Sequence, residues 1–151
     1  MKIELAIKQN KFENSYQKAI INIIYTANWL RDQQQLIFKS HGLLPQHYNI
    51  LRIVKGRHPR AVSPGEIKEV MLDKGNDVTR LIDKLVKMGL LNRETCDNNR
   101  RKIDIRVTAE GISFLNQFSR PFKKEITTLR KILSEKDAEQ LSDLLDKFRV
   151  Q

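Results

Sequence analysis

The chain holds a single cysteine, Cys96, among its 151 residues. An internal disulfide is therefore excluded, which agrees with a reducing compartment. Its three histidines, His41, His47 and His58, stand six and eleven residues apart. With one cysteine in the chain that spacing makes no zinc site, and no metal is expected. No run approaches the roughly 18 apolar residues a membrane-crossing helix requires. The opening "MKIELAIKQNKFENSYQK" scatters its charges and carries no apolar segment of signal-peptide length. A cytoplasmic location is the expectation. Glycine is sparse, and the "KG" at 74–75 lacks the context of a phosphate-binding loop. No His–Ser or His–Cys pairing stands out and the carboxylates are dispersed, so neither an enzyme nor a cofactor is expected. Acidic residues are in deficit: 18 Asp and Glu against 28 Lys and Arg leave a net charge of +10. That imbalance favours a polyanionic partner, either nucleic acid or an anionic membrane surface. The 40% hydrophobic content suffices for one ordinary core, and the length suits one domain over 1–151.

Helical periodicity dominates what is present. Phe12, Tyr16, Ala19, Ile20, Ile23, Ile24, Ala27 and Leu30 recur at steps of three and four, predicting a long helix over 11–39 with one apolar stripe. Gly42 is a plausible stop, and Pro45 opens a second helix carrying Tyr48, Leu51 and Val54 that ends near Gly56. "GRHPRA" reads as a loop. "SPGEIKEVML" starts a short third helix: Ser63 caps it, Pro64 takes its first position and Glu66 reaches back. Gly75 suits the tight turn after it. In "NDVTRLIDKLVKMG", Val78, Leu81, Ile82, Leu85 and Val86 line one face, Asn76 is the expected cap and Gly89 the terminator. "LLNRET" and "KIDIRV" read as paired strands around the turn-rich "CDNNRR". Thr108 can cap a fifth helix with Ile112, Leu115, Phe118 and Phe122, which Pro121 should kink or divide. Ser134 and Asp137 form a capping box for the last helix, whose stripe is Ala138, Leu141, Leu144, Leu145 and Phe148.

The order is helix, helix, short helix, turn, helix, hairpin. The expected fold class is mainly α with a small β-wing, built on a winged helix-turn-helix over 45–108. The fourth helix, about 76–88, holds to the body through its apolar face. Its other face offers Asn76, Thr79, Arg80, Lys84 and Lys87 to base edges and phosphates of a major groove. Ser63 and Lys74 stand at the entry to this region. The wing, about 96–102, gathers Asn98, Arg100, Arg101 and Lys102 at a tip where adjacent cations repel one another. DNA phosphate along a minor groove is the proposed compensation. The plainer alternative is a solvated cationic face and a solubilising turn.

These residues also carry a resemblance. "VTRLIDKLVKMGLLNRE" at 78–94, "DNNRRKIDIRVTAEG" at 97–111, "YNILRIV" at 48–54 and "SPGEI" at 63–67 resemble the MarR-type winged-helix transcription regulators. The resemblance spans nearly the whole chain. It implies a homodimer whose N- and C-terminal helices (11–39 and 112–151) build the two-fold interface, with double-stranded DNA at a pseudo-palindromic site as partner. It implies a repressor released by a small aromatic ligand, for which Tyr25, Trp29 and His47 are the candidate lining residues. Ordinary core packing is the bland reading of those three. The chain departs from the family pattern at Asn99, where an aspartate usually braces the wing arginines, and at Leu44, where a capping threonine is common. It lacks the first-helix cysteine of the family's oxidation sensors. Cys96 is either inert or a thiol activated by nearby cations. The alternative function is a winged-helix interaction module that binds RNA or a protein without operator specificity.

Overall fold

The computed structural model describes residues 1–75, 77–96 and 99–149, with the side chains of Cys96, Asn99 to Lys102, Ser119 and Arg120 outside the description. The chain forms two compact units, Met1–Asn49 and Ile50–Gln151.

In the first unit a short helix α1 (Ile3–Ala6) precedes the long α2 (Ser15–Lys39). The expected start of α2 at residue 11 is corrected to Ser15. The Asn14 side chain accepts a 2.9 Å hydrogen bond from the Gln17 amide, and the Gln17 side chain accepts one of 2.9 Å from the Glu13 amide. These bonds satisfy amides that a helix start leaves without intrahelical partners. α1 is four residues long, too short to register as periodicity. It is tied to α2 by the Glu4–Lys18 ion pair, and this hydrogen bond is the main reason the Glu4 carboxyl sits below its ordinary pKa. At the other end Gly42, with φ +63°, turns the chain out of the helix. Phe38 and Leu43 are buried there, and the Phe38 and Tyr48 rings meet at 5.1 Å. α3 (Pro45–Arg57) follows Leu44, whose hydrocarbon side chain has no group that can cap. The Leu44 amide instead donates to Nδ1 of His47 at 2.9 Å. His47 thus does from the third helical position what a capping-box glutamate does elsewhere.

The second unit holds the larger core, with Ile50, Leu51, Ile67, Ile82, Leu85 and Ile105 among its fully buried side chains. α4 (Pro64–Val70) has the complete capping box expected of Ser63 and Glu66. α5 (Val78–Lys87) buries Val78, Leu81, Ile82 and Leu85. Gly89, at φ +73°, ends it, and the Leu90 amide returns to the Leu85 carbonyl at 2.9 Å. β1 (Leu91–Cys96) and β2 (Asn99–Val107) pair antiparallel, from Leu91 opposite Val107 to Thr95 opposite Ile103. The register shifts between Thr95 and Cys96. A third strand segment was not legible in the sequence: Val62 exchanges backbone bonds of 3.0 and 2.9 Å with Ile105.

Thr108 fastens the hairpin to the next helix. Its hydroxyl donates to the Gly89 carbonyl at 2.7 Å and accepts from the Gly111 amide at 2.9 Å, capping α6 (Ala109–Gln117). Gly111 is required there, since a Cβ at that position would lie 2.2 Å from the Leu90 carbonyl oxygen. The expected break near Pro121 falls at Phe118, and Pro121 sits in the first turn of α7 (Ser119–Arg130), where its missing amide costs nothing. α8 (Glu135–Arg149) opens on the reciprocal Ser134–Asp137 bonds. None of its described residues is buried: Leu141, Leu144 and Phe148 are half-exposed.

Candidate nucleic-acid interface

The four buried side chains of α5 fix its rotation about its own axis. Thr79, Arg80, Asp83, Lys84 and Lys87 are turned to solvent as a consequence. An α-helix with its side chains is about 10–12 Å across, a fit to a major groove about 12 Å wide.

The cap of this helix differs from the expectation. Asp77, not Asn76, is the N-cap, and its carboxylate accepts from the Arg80 amide at 3.1 Å. An aspartate gains more there than an asparagine, because its full charge meets the positive end of the helix dipole. Thr79 comes after the first helical residue and takes no part in the cap, so its exposed hydroxyl is available outward. Asn76 itself lies outside the described residues.

The approach to α5 is a turn in which Gly75 donates its amide to the Asp73 side chain at 3.2 Å, with Lys74 exposed beside it. Ser63 is engaged in the α4 cap, accepting from the Glu66 amide at 3.2 Å. Glu66 in turn accepts from the Ser63 amide at 2.8 Å, its carboxyl held below the ordinary range chiefly by that bond, then by the Ser63 hydroxyl and by Arg60 at 3.1 Å. In the wing, the backbone of Arg100, Arg101 and Lys102 belongs to β2. Their side chains, and the whole of Asn98, lie outside the described residues.

Two contacts escaped the sequence reading. Arg93 of β1 forms an ion pair with Asp83 of α5. Arg106 of β2 donates from Nη1 to the Pro59 carbonyl at 2.6 Å. They join residues ten and 47 positions apart, and no helical or strand period signals either pairing.

Of the candidate ligand-lining residues, Tyr25 and Trp29 are four apart on α2, which puts them on one face, 38% and 49% exposed. His47 is only 2% exposed and holds the Leu44 amide. Among the described residues no helix is long and apolar enough to cross a membrane, and no cluster of His, Cys, Asp or Glu is arranged to hold a metal ion.

Comparison with known proteins agrees with this geometry. The model of the MarR family matches residues 41–102. The HTH-type transcriptional regulator PecS of Dickeya dadantii is 28% identical over 109 residues, covering 72% of this chain and 64% of its own length. The HTH-type transcriptional regulator MhqR of Bacillus subtilis is 27% identical over 118 residues, covering 77% of this chain and 79% of its own. Among solved structures, a MarR transcription factor from Planctomyces limnophilus superposes with a TM-score of 0.69 at 26% identity, covering 90% of this chain and 98% of that one. The S. aureus MepR–DNA complex reaches a TM-score of 0.74 at 20% identity, covering 91% and 97%, a likeness of fold.

Proposed function

We propose that this chain, which resembles the MarR family of winged-helix transcription regulators, is a homodimeric, sequence-specific DNA-binding repressor. The observation that carries this reading is the exposed row Thr79, Arg80, Lys84 and Lys87 on a helix clamped to the core by its opposite face. Its named relatives are regulators of transcription rather than enzymes.

In this reading α5 enters a major groove. Arg80 reaches base edges, where an arginine donates bidentately to guanine O6 and N7. Lys84 and Lys87 meet phosphate, as do Lys74 and Ser63 at the entry, and Asn76 and Thr79 contribute polar contacts. Asn98, Arg100, Arg101 and Lys102 carry the wing into the flanking minor groove.

The terminal helices supply the dimer interface. Tyr16, Ile20 and Ile24 of α2 are exposed, as are Ile126, Leu129, Leu141, Leu144 and Phe148 of the C-terminal helices. Apolar surface on that scale is stabilised by burial against a second copy. Two such subunits read half-sites about 34–36 Å apart, which makes the operator pseudo-palindromic. A small aromatic ligand, with Tyr25, Trp29 and His47 as the candidate lining residues, would release the DNA.

Selection of bound duplexes from a random pool, with the mass in solution measured alongside, tests the proposal. A pseudo-palindrome enriched by a dimer is the expected result. A monomer, or binding that salt abolishes equally for every sequence, would overturn it in favour of a general polyanion-binding module.

A further inference from the structure

Asp83 poses a problem for an interface that faces phosphate. It stands on the exposed side of α5, between Arg80 and Lys84. A carboxylate about 8 Å from a phosphate weakens binding by roughly two- to thirtyfold as the effective dielectric constant goes from about 80 to about 20. The compensation comes from outside the helix, through the guanidinium of Arg93.

Strand register explains how Arg93 reaches it. Arg93 is opposite Ile105 and two residues beyond the buried Leu91. Side chains alternate along a strand, so Arg93 leaves the sheet on the face that Leu91 packs inward. β1 and α5 pack against each other there. Elsewhere on the stem, Arg106 is bonded to Pro59 and Ile105 to Val62. The base of the wing is therefore held to both the helix and the preceding loop.

The Arg93 side chain is 30% exposed and that of Asp83 54% exposed. A pair so wet contributes little to folding stability. Its contribution is expected elsewhere. We infer that Arg93 is a positioning residue for DNA recognition: its ion pair with Asp83 fixes the wing relative to α5 and cancels a negative charge on the DNA-facing side. The inference rests on the DNA-binding reading above and deepens it. The pair adds to the contacts that set the distance between the major-groove and minor-groove contacts, so it bears on discrimination between operator and other sequences more than on attraction to DNA as such.

The test uses the full chain and the duplex that the wild type itself selects. Affinities for that operator and for a scrambled duplex are measured by fluorescence anisotropy at one salt concentration, with thermal unfolding of each variant alongside. Arg93→Ala and Arg93→Asp should each lower the operator-to-scrambled ratio by about tenfold, and the exchanged pair Asp83→Arg with Arg93→Asp should restore it to within about threefold. Asp83→Ala, at a more than half exposed helix position that tolerates substitution, is the independent check. It removes a negative charge, so electrostatics alone would leave or raise operator binding, whereas loss of positioning lowers the ratio by about fivefold. A ratio unchanged in Asp83→Ala, or an exchanged pair no better than the combined single losses, would overturn the inference. Failure of the wild type to select any duplex would instead sink the DNA-binding reading, a separately visible outcome.

Discussion

Replacing Gly111 by alanine should be among the most damaging single-methyl changes in this chain. The added Cβ would stand 2.2 Å from the Leu90 carbonyl oxygen and 2.9 Å from Cγ2 of Val107. The oxygen belongs to backbone, so it cannot swing aside as the end of a long side chain can. Relief needs a movement on the order of 1 Å between the start of α6 and the turn after α5. The Leu90 carbonyl accepts the Thr108 amide at 3.2 Å, and Thr108 also reaches the Gly89 carbonyl at 2.7 Å. Separation therefore strains both bonds at once. Overpacking costs about 1–3 kcal/mol, and a weakened buried hydrogen bond adds about 1 kcal/mol. Alanine's better helix propensity and the stiffer unfolded chain offset about 1 kcal/mol of this. The net expectation is a loss of about 2 kcal/mol, or a Tm lower by about 4–8 °C for a chain of this size. Urea unfolding at matched protein concentration measures it, since association with a partner would make stability concentration-dependent. The midpoint should fall with the slope unchanged. A variant as stable as the wild type would refute the close packing of α6 on the Gly89–Leu90 turn.

Arg80→Ala should cost about 1–3 kcal/mol at the selected operator and relax preference at one base pair, read by anisotropy against single-base operator variants. Wild-type affinity and specificity in that variant would misplace the recognition helix. Leu144→Asp with Phe148→Asp, both at half-exposed positions of α8, should yield monomers by light scattering while leaving the helical circular dichroism largely intact. The carboxyls of Glu66 and Asp137 are held below their ordinary pKa values of 4.5 and 3.8 by the Ser63 amide and the Ser134 hydroxyl, respectively. A depressed carboxyl contributes stability above its unfolded pKa and loses it as pH falls through the folded value. The urea midpoint of Glu66→Gln should therefore change less between pH 5 and pH 3 than that of the wild type, and a parallel change would refute the capping contribution.

Much of the winged-helix core was legible because its signals are local. The capping boxes of Ser63 with Glu66 and Ser134 with Asp137, the Thr108 cap and the Gly89 stop each involve residues within one helical turn. The apolar face of α5 comes from a spacing that only a helix satisfies. Local reasoning failed where two neighbours competed for one role. Asn76 and Asp77 can both cap, and the choice between them depends on where the turn from α4 delivers the chain. It failed also for α1, whose apolar residues are too few to show a period.

Residue order therefore carries the helix starts and stops, the turn positions and the polar and apolar faces, since each depends on side chains a few positions apart. Which of those faces are covered depends on the rest of the fold. The stripes of α2 and α8 have the same period as a core face, and only the fold shows that Tyr16, Ile24, Leu144 and Phe148 stay exposed. The pairing of Arg93 with Asp83, the reach of Arg106 to Pro59 and the bridge from Val62 to Ile105 join segments that meet only when the hairpin folds back on α5. Nothing in their spacing requires them to meet. The folded backbone decides it, because a guanidinium finds its carboxylate only where strand alternation and helix rotation bring the two to the same place.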